Sequence, residues 1–111
     1  MICAASALED GGRGVRFSPV EGGPESAFAV RHGGRVAAYV NQCPHLGTEL
    51  DWEPGEFFDF ARIYLVCSTH GALFDPVDGH CIAGPCRGAS LRRLPVREHE
   101  GQVLLTQDET P

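Results

Sequence analysis

The chain has 111 residues, 42% of them hydrophobic, and a formal net charge of −6; this suits one domain with a modest core and argues against nucleic acid or an anionic membrane as partner. No run of about 18 apolar residues is present to span a bilayer, and the apolar start from Ile2 to Leu8 meets Glu9-Asp10 with no basic stretch before it, so no secretory leader is read there. The compartment expected is therefore the cytoplasm, where five cysteines fit metal binding better than a disulfide framework.

Taken in chain order, the elements are short runs of Val, Phe, Tyr and Leu broken by Gly and Pro, the pattern of a small all-β domain. Residues 9–14 and 21–25 read as Gly- and acid-rich loops. Phe28 to Arg31, the turn His32-Gly33-Gly34 and Val36 to Val40 read as a hairpin. Arg62 to Val66 reads as a strand, Ala72 to Phe74 as its successor, and Asp75-Pro76-Val77-Asp78-Gly79 as a turn by composition. His80 to Ile82 returns as a strand. Leu91 to Val96 and Val103 to Leu105 read as a last hairpin about His99-Glu100-Gly101, and residues 106–111 as a frayed tail. The order suggests one domain over 1–111: a β base from the two terminal thirds, with a small lobe, about 41–86, inserted between them.

Two loops at strand ends carry the chemistry. Cys43-Pro44-His45-Leu46-Gly47 and Cys67-Ser68-Thr69-His70-Gly71 each offer one thiol and one imidazole, with 21 residues between His45 and Cys67. Two Cys and two His, paired loop by loop, make a four-ligand site for a soft metal. Zinc takes the same donor set tetrahedrally, so a zinc-stabilised binding module is one reading; the tight Cys-x-His spacing and the lack of a helix signal count against it. Gly47 and Gly71 follow each His, where missing side chains let backbone N–H groups come close, and Pro44 stiffens the first loop. Cys81 and Cys86, five apart, read as small buried thiols, with a disulfide between them as the alternative, and Cys3 as a core thiol. His32, His80 and His99 lie beside turns and read as solvated. All nine basic residues are Arg. Glu49, Asp51, Glu53, Glu56 and Asp59 read either as a solvated acidic loop or as a docking patch for a basic redox partner. Trp52, Phe57 and Phe58, in the same stretch, read as a satellite core or as partner-facing aromatics.

The pattern Cys-x-His…Cys-x-x-His resembles the Rieske iron–sulfur family, with support from His70-Gly71-Ala72-Leu73-Phe74-Asp75 and from Gly84-Pro85. The resemblance runs from about residue 28 to about residue 96. It implies a small Rieske-type fold, a β-sandwich base with an inserted cluster-binding lobe. It implies one [2Fe–2S] cluster per chain, with Cys43 and Cys67 on one iron and His45 and His70 on the other. Gly47 and Gly71 would stand behind the ligands, and Pro85 in the segment that covers the cluster. Two neutral imidazoles in place of thiolates make the oxidised site formally neutral, so it accepts an electron more readily. The implied function is a soluble ferredoxin, not itself an enzyme, carrying single electrons from a flavin-dependent reductase to a terminal oxygenase or similar enzyme. A small Rieske subunit of a larger reductase, such as a nitrite reductase, is the alternative. High-potential relatives have a hydroxyl where this chain has Ala72, which implies a potential at the low end, roughly −150 to 0 mV.

Overall fold

The computed structural model describes residues 2–44, 48–51, 53–67, 71–84 and 88–106. In chain order the strands are β1 (Cys3–Ala4), β2 (Val15–Phe17), β3 (Ala27–His32), β4 (Arg35–Val40), β5 (Leu65–Val66), β6 (Leu73–Phe74), β7 (Cys81–Ala83), β8 (Arg93–Leu94), β9 (Val96–His99) and β10 (Gln102–Leu105), with one 3-10 turn at Ala5–Ala7. They form three antiparallel sheets, ordered β1-β10-β9, β2-β3-β4-β8 and β5-β6-β7. The all-β expectation is met. Among the described residues, no helix is long and apolar enough to cross a membrane.

The β3–β4 hairpin is the centre of the molecule. Its register runs from Ala27 opposite Val40 to His32 opposite Arg35, and Gly33 and Gly34 turn it at φ 62° and 81°, the backbone that matches strand twist in a two-residue loop. The Asp10 carboxylate accepts the N–H groups of Gly34 and Gly33 at 2.6 and 3.0 Å. Those two bonds hold its carboxyl below the usual range.

This hairpin is buried on both faces, and the period of two sorts its residues by size. Ala27, Ala29 and Ala38 lie in one core cluster with Leu8, Phe17 and Val103, against β1 and β10. Phe28, Val30, Ala37 and Tyr39 lie in the other, with Phe57, Leu65, Phe74 and Leu91. Small side chains face the neighbouring sheet, and large ones fill the thicker space under the β5-β6-β7 sheet. Phe28 stacks on Phe57 at 3.9 Å and tilts against Tyr39 at 5.8 Å. The Tyr39 hydroxyl donates to the Pro76 carbonyl at 2.8 Å, and burial pushes its phenol pKa up.

Several local expectations change. β1 and β2 are strands that short patterning does not reveal. Arg62 to Tyr64 is not strand: the Asp59 carboxylate accepts the N–H groups of Ile63 and Tyr64 at 2.9 and 3.2 Å, and Arg62 turns at φ 61°. Leu91 to Val96 is not one strand either. Arg93–Leu94 pairs with β4, and β9 begins after Pro95 to pair with β10, because proline interrupts a ladder. Phe57 and Phe58 belong to the main core, not to a satellite or a partner-facing patch. His32 is half-buried and stacks on Phe58 at 5.9 Å, whereas His80 and His99 are exposed as read. Cys3 is only half-buried, beside the alanine-faced core. Trp52, Cys86 and residues 107–111 lie outside the described residues.

Candidate metal centre

The two cysteines of the loops lie buried in one core cluster. Cys43 is 1% and Cys67 0% exposed, and both belong to the aromatic-rich core cluster. Each opens a loop closed in the same way. The Cys43 N–H donates to the Thr48 carbonyl at 2.8 Å, and the Cys67 N–H to the Ala72 carbonyl at 2.9 Å. Both closures join residue i to residue i+5, although one loop spells Cys-x-His and the other Cys-x-x-His. His45, Gly47, His70 and Pro85 lie outside the described residues.

The first loop is fastened at its neck by side chains. Asn41, two residues before Cys43, is 5% exposed. Its Oδ1 accepts the Leu50 N–H at 2.8 Å, so it ties the chain entering the loop to the chain leaving it. Its Nδ2 donates to Asp51 Oδ1 at 3.1 Å. The Asp51 side chain is 1% exposed and 3.6 Å from the Arg16 guanidinium. It also accepts the Gly55 N–H at 3.0 Å, and Arg16 pairs with Glu49 at 2.7 Å. The network anchors the loop to β2.

The second loop is fastened by backbone and by close approach. It leaves β5 and returns into β6, whose residues pair Leu65 with Phe74 and Val66 with Leu73. Gly71 sits at φ 72° and donates its N–H to the Cys67 carbonyl at 2.8 Å. Conformation, not crowding, selects glycine here, since a Cβ would meet nothing within 4 Å. At Gly84, with φ +98°, a Cβ would lie 2.8 Å from the Ala72 Cα. The segment leading to Pro85 therefore presses on the second loop at a spot only glycine permits.

Sequence reasoning found both cysteines and Gly71 but missed Asn41, Asp51 and Arg16. An Asn two positions before a loop cysteine was the available signal. The donor set fits an iron–sulfur group. Two ionised thiolates are costly in an apolar core, and metal binding offsets that cost. The packing of Leu50, Leu65, Ala72 and Phe74 in the same cluster limits water there and raises the sensitivity of the site to each nearby dipole.

Comparisons agree with this chemistry. The ferredoxin of Sphingomonas yanoikuyae B1 is similar with a TM-score of 0.72 and 25% identity, over 96% of both chains. A chain of the complex of reduced oxygenase and oxidized ferredoxin in carbazole 1,9a-dioxygenase is similar with a TM-score of 0.75 and 25% identity, over 95% of this chain and 98% of that one. The cytochrome b6-f complex iron-sulfur subunit of Chlorobaculum tepidum is 29% identical over 82 residues, which are 74% of this chain and 41% of that subunit. A cluster-binding family sets the zinc reading aside. The Rieske [2Fe-2S] domain matches residues 1–103, so the chain belongs to the Rieske [2Fe–2S] family and is a cluster-binding electron carrier.

Proposed function

We propose that Cys43 and Cys67 hold one iron of the cluster and His45 and His70 the other, and that the chain is a cytoplasmic ferredoxin. It takes one electron from a flavin-dependent reductase and delivers it to a terminal oxygenase, without a reaction site of its own. When bound, a [2Fe–2S] cluster supplies a one-electron couple whose potential His ligation raises. The chain's own part is to hold two thiolates in a dry core, to keep the loops closed and to limit the dipoles that reach the sulfurs. The observation that carries the reading is the matched i to i+5 closure at Cys43 and Cys67 within one buried cluster. The oxygenase partner is supported by the complex in which a similar chain occurs. Gly47 and Pro85 complete the surroundings of the ligands in this reading, within a lobe of about 41–86 inserted in a single domain over 1–111.

Ala72 is fully buried beside Cys67 and brings no hydroxyl to the site. A donor to a cluster sulfur stabilises the reduced state, so its lack favours the low end of the Rieske range. The test is iron, sulfide and redox analysis of anaerobically purified protein. About two irons and two sulfides per chain are expected, with a midpoint of roughly −150 to 0 mV. His70→Ala and Cys67→Ala should lose the cluster, and Cys3→Ser should keep it. Retention of a normal cluster by either ligand variant would overturn the ligand set. A midpoint above about +100 mV would overturn the ferredoxin role in favour of a quinol-linked one.

A further inference from the structure

We infer that the redox partner docks through an acidic surface onto a hollow beside Cys43 with Arg92 on its wall. This rests on the reading that Cys43 holds the cluster, and it reverses the polarity that the acid-rich stretch 49–59 suggests. The carboxylates of that stretch are largely engaged within the chain. Glu49 pairs with Arg16 and Glu56 with Arg13, at 2.7 and 3.0 Å. Asp51 is buried in the Asn41 network, and Asp59 caps its own turn. Of the five, Glu53 is exposed outside these pairings, so the stretch offers a basic visitor little beyond one carboxylate.

The arginines are divided differently. Arg13, Arg16 and Arg31 pair with carboxylates, and the Arg62 guanidinium donates to the Gly11 carbonyl. Among the described residues, Arg35, Arg92, Arg93 and Arg97 have no carboxylate within 4.0 Å, and all four are exposed. Strand register sets where Arg92 stands. Its carbonyl accepts the Val40 N–H at 2.9 Å, and Arg93 lies opposite Tyr39. Successive residues on extended chain face opposite ways. Arg93 joins Arg35 and Arg97 around a separate cleft, while Arg92 turns to the side of the first metal loop.

There it lines a hollow of ≈ 390 Å³ with Val40, Gln42, Cys43, Pro44 and Ser90. Among the described residues, Arg92 is the only charged one in that lining. A guanidinium takes a carboxylate through two parallel N–H bonds. Gln42 and Ser90 add neutral hydrogen-bonding groups, and Val40 and Pro44 an apolar floor. A partner seated here lies against the residue that would hold iron. Charge at such a contact governs encounter rate and orientation even when the whole chain is anionic.

The test uses the reduced, cluster-loaded protein and two outer-sphere oxidants of opposite charge. Hexacyanoferrate(III) and hexaammineruthenium(III) each take one electron and become the corresponding divalent-metal complex. Arg92→Glu should slow the anionic oxidant by at least about threefold and speed the cationic one. Arg97→Glu makes the same charge change on β9 and should move either rate by less than about twofold. A short poly-glutamate peptide should slow hexacyanoferrate(III) oxidation of the wild type and not of Arg92→Glu. An unchanged visible spectrum in Arg92→Glu shows that the fold and cluster are intact, and the opposite response of the two oxidants separates a charge effect on encounter from any shift in driving force, which moves both rates the same way. Equal effects of the two variants, or no effect of Arg92→Glu, would overturn the docking inference and leave the ligand reading standing. A colourless wild-type preparation would overturn the ligand reading, and the docking inference with it.

Discussion

The two cysteine loops share one closing bond and differ in what stands behind it. The loop from Cys43 is backed by Asn41, Asp51, Arg16 and Glu49, four polar side chains that converge on its neck. The loop from Cys67 is backed by the β5–β6 ladder and by the close contact of Gly84 with Ala72. A side-chain fastening is undone by removing a hydrogen-bonding group. A steric fastening is undone by adding one carbon. The same local geometry is therefore exposed to opposite kinds of substitution, and the comparison can be tested from both ends.

The largest effect is expected at Gly84. Gly84→Ala places a Cβ 2.8 Å from the Ala72 Cα, a backbone atom that moves only with its loop. A left-handed φ costs an alanine about 1–2 kcal/mol, and overpacking adds about 1–3 kcal/mol. A loss of about 2–4 kcal/mol in urea unfolding is expected, with faster loss of the visible chromophore. Near-wild-type stability would show that the second loop is not held by close approach.

Asn41→Ala comes next. It leaves the Leu50 N–H and one oxygen of the buried Asp51 carboxylate without their partner, a loss of about 1–3 kcal/mol. Asn41→Asp should not rescue it, because a second carboxylate then faces Asp51 at the former 3.1 Å contact. Full rescue by Asn41→Asp, in urea unfolding and chromophore half-life, would break the claim that the amide bridges the neck. An Asn41→Ala effect larger than that of Gly84→Ala would reverse the ranking of the two fastenings.

What the sequence made legible follows from how local each signal is. The β3–β4 hairpin is readable because two glycines must supply positive φ between apolar runs. The two cysteine loops are readable because their residue types are rare and their spacing is tight. The β1 strand spans two residues and β2 three, too few for a period to emerge. Pro95 splits a run into two sheets, and its partner strands lie far away in sequence. Asn41, Asp51 and Arg16 are ordinary polar residues until the fold brings β2 to the loop neck, so composition reads the acids around Asp51 as a surface patch. Phe57 looks like part of an excursion because its stacking partner, Phe28, is distant along the chain. The all-β class survives these misses because it depends on the recurrence of short runs, not on any one boundary.

The smallest effect separates both loops from the base that carries them. There the four-stranded sheet meets β9 through charge. Arg31 on β3 and Glu98 on β9 pair at 2.8 Å, with side chains 16% and 36% exposed. Arg31 also donates to the carbonyls of Leu8 and Ala5 at 2.8 and 3.0 Å. The bond from Arg31 holds the Glu98 carboxyl below its ordinary 4.5. A depressed folded-state pKa means that the pair's contribution is complete above that ordinary value. It is lost as pH falls through the lower, folded one. Solvent reaches both groups, so Glu98→Gln should cost only about 0.5–1 kcal/mol at pH 7. That cost should shrink as pH drops below 4.5. The difference between wild type and variant is the quantity to follow by urea unfolding, because acid effects on the cluster are common to both chains and cancel. Asn41→Ala removes a neutral amide from its network and provides the contrast. A Glu98→Gln cost that stays constant through the acid range would show that shape, and not charge, joins β3 to β9, placing the base with the second loop rather than apart from both.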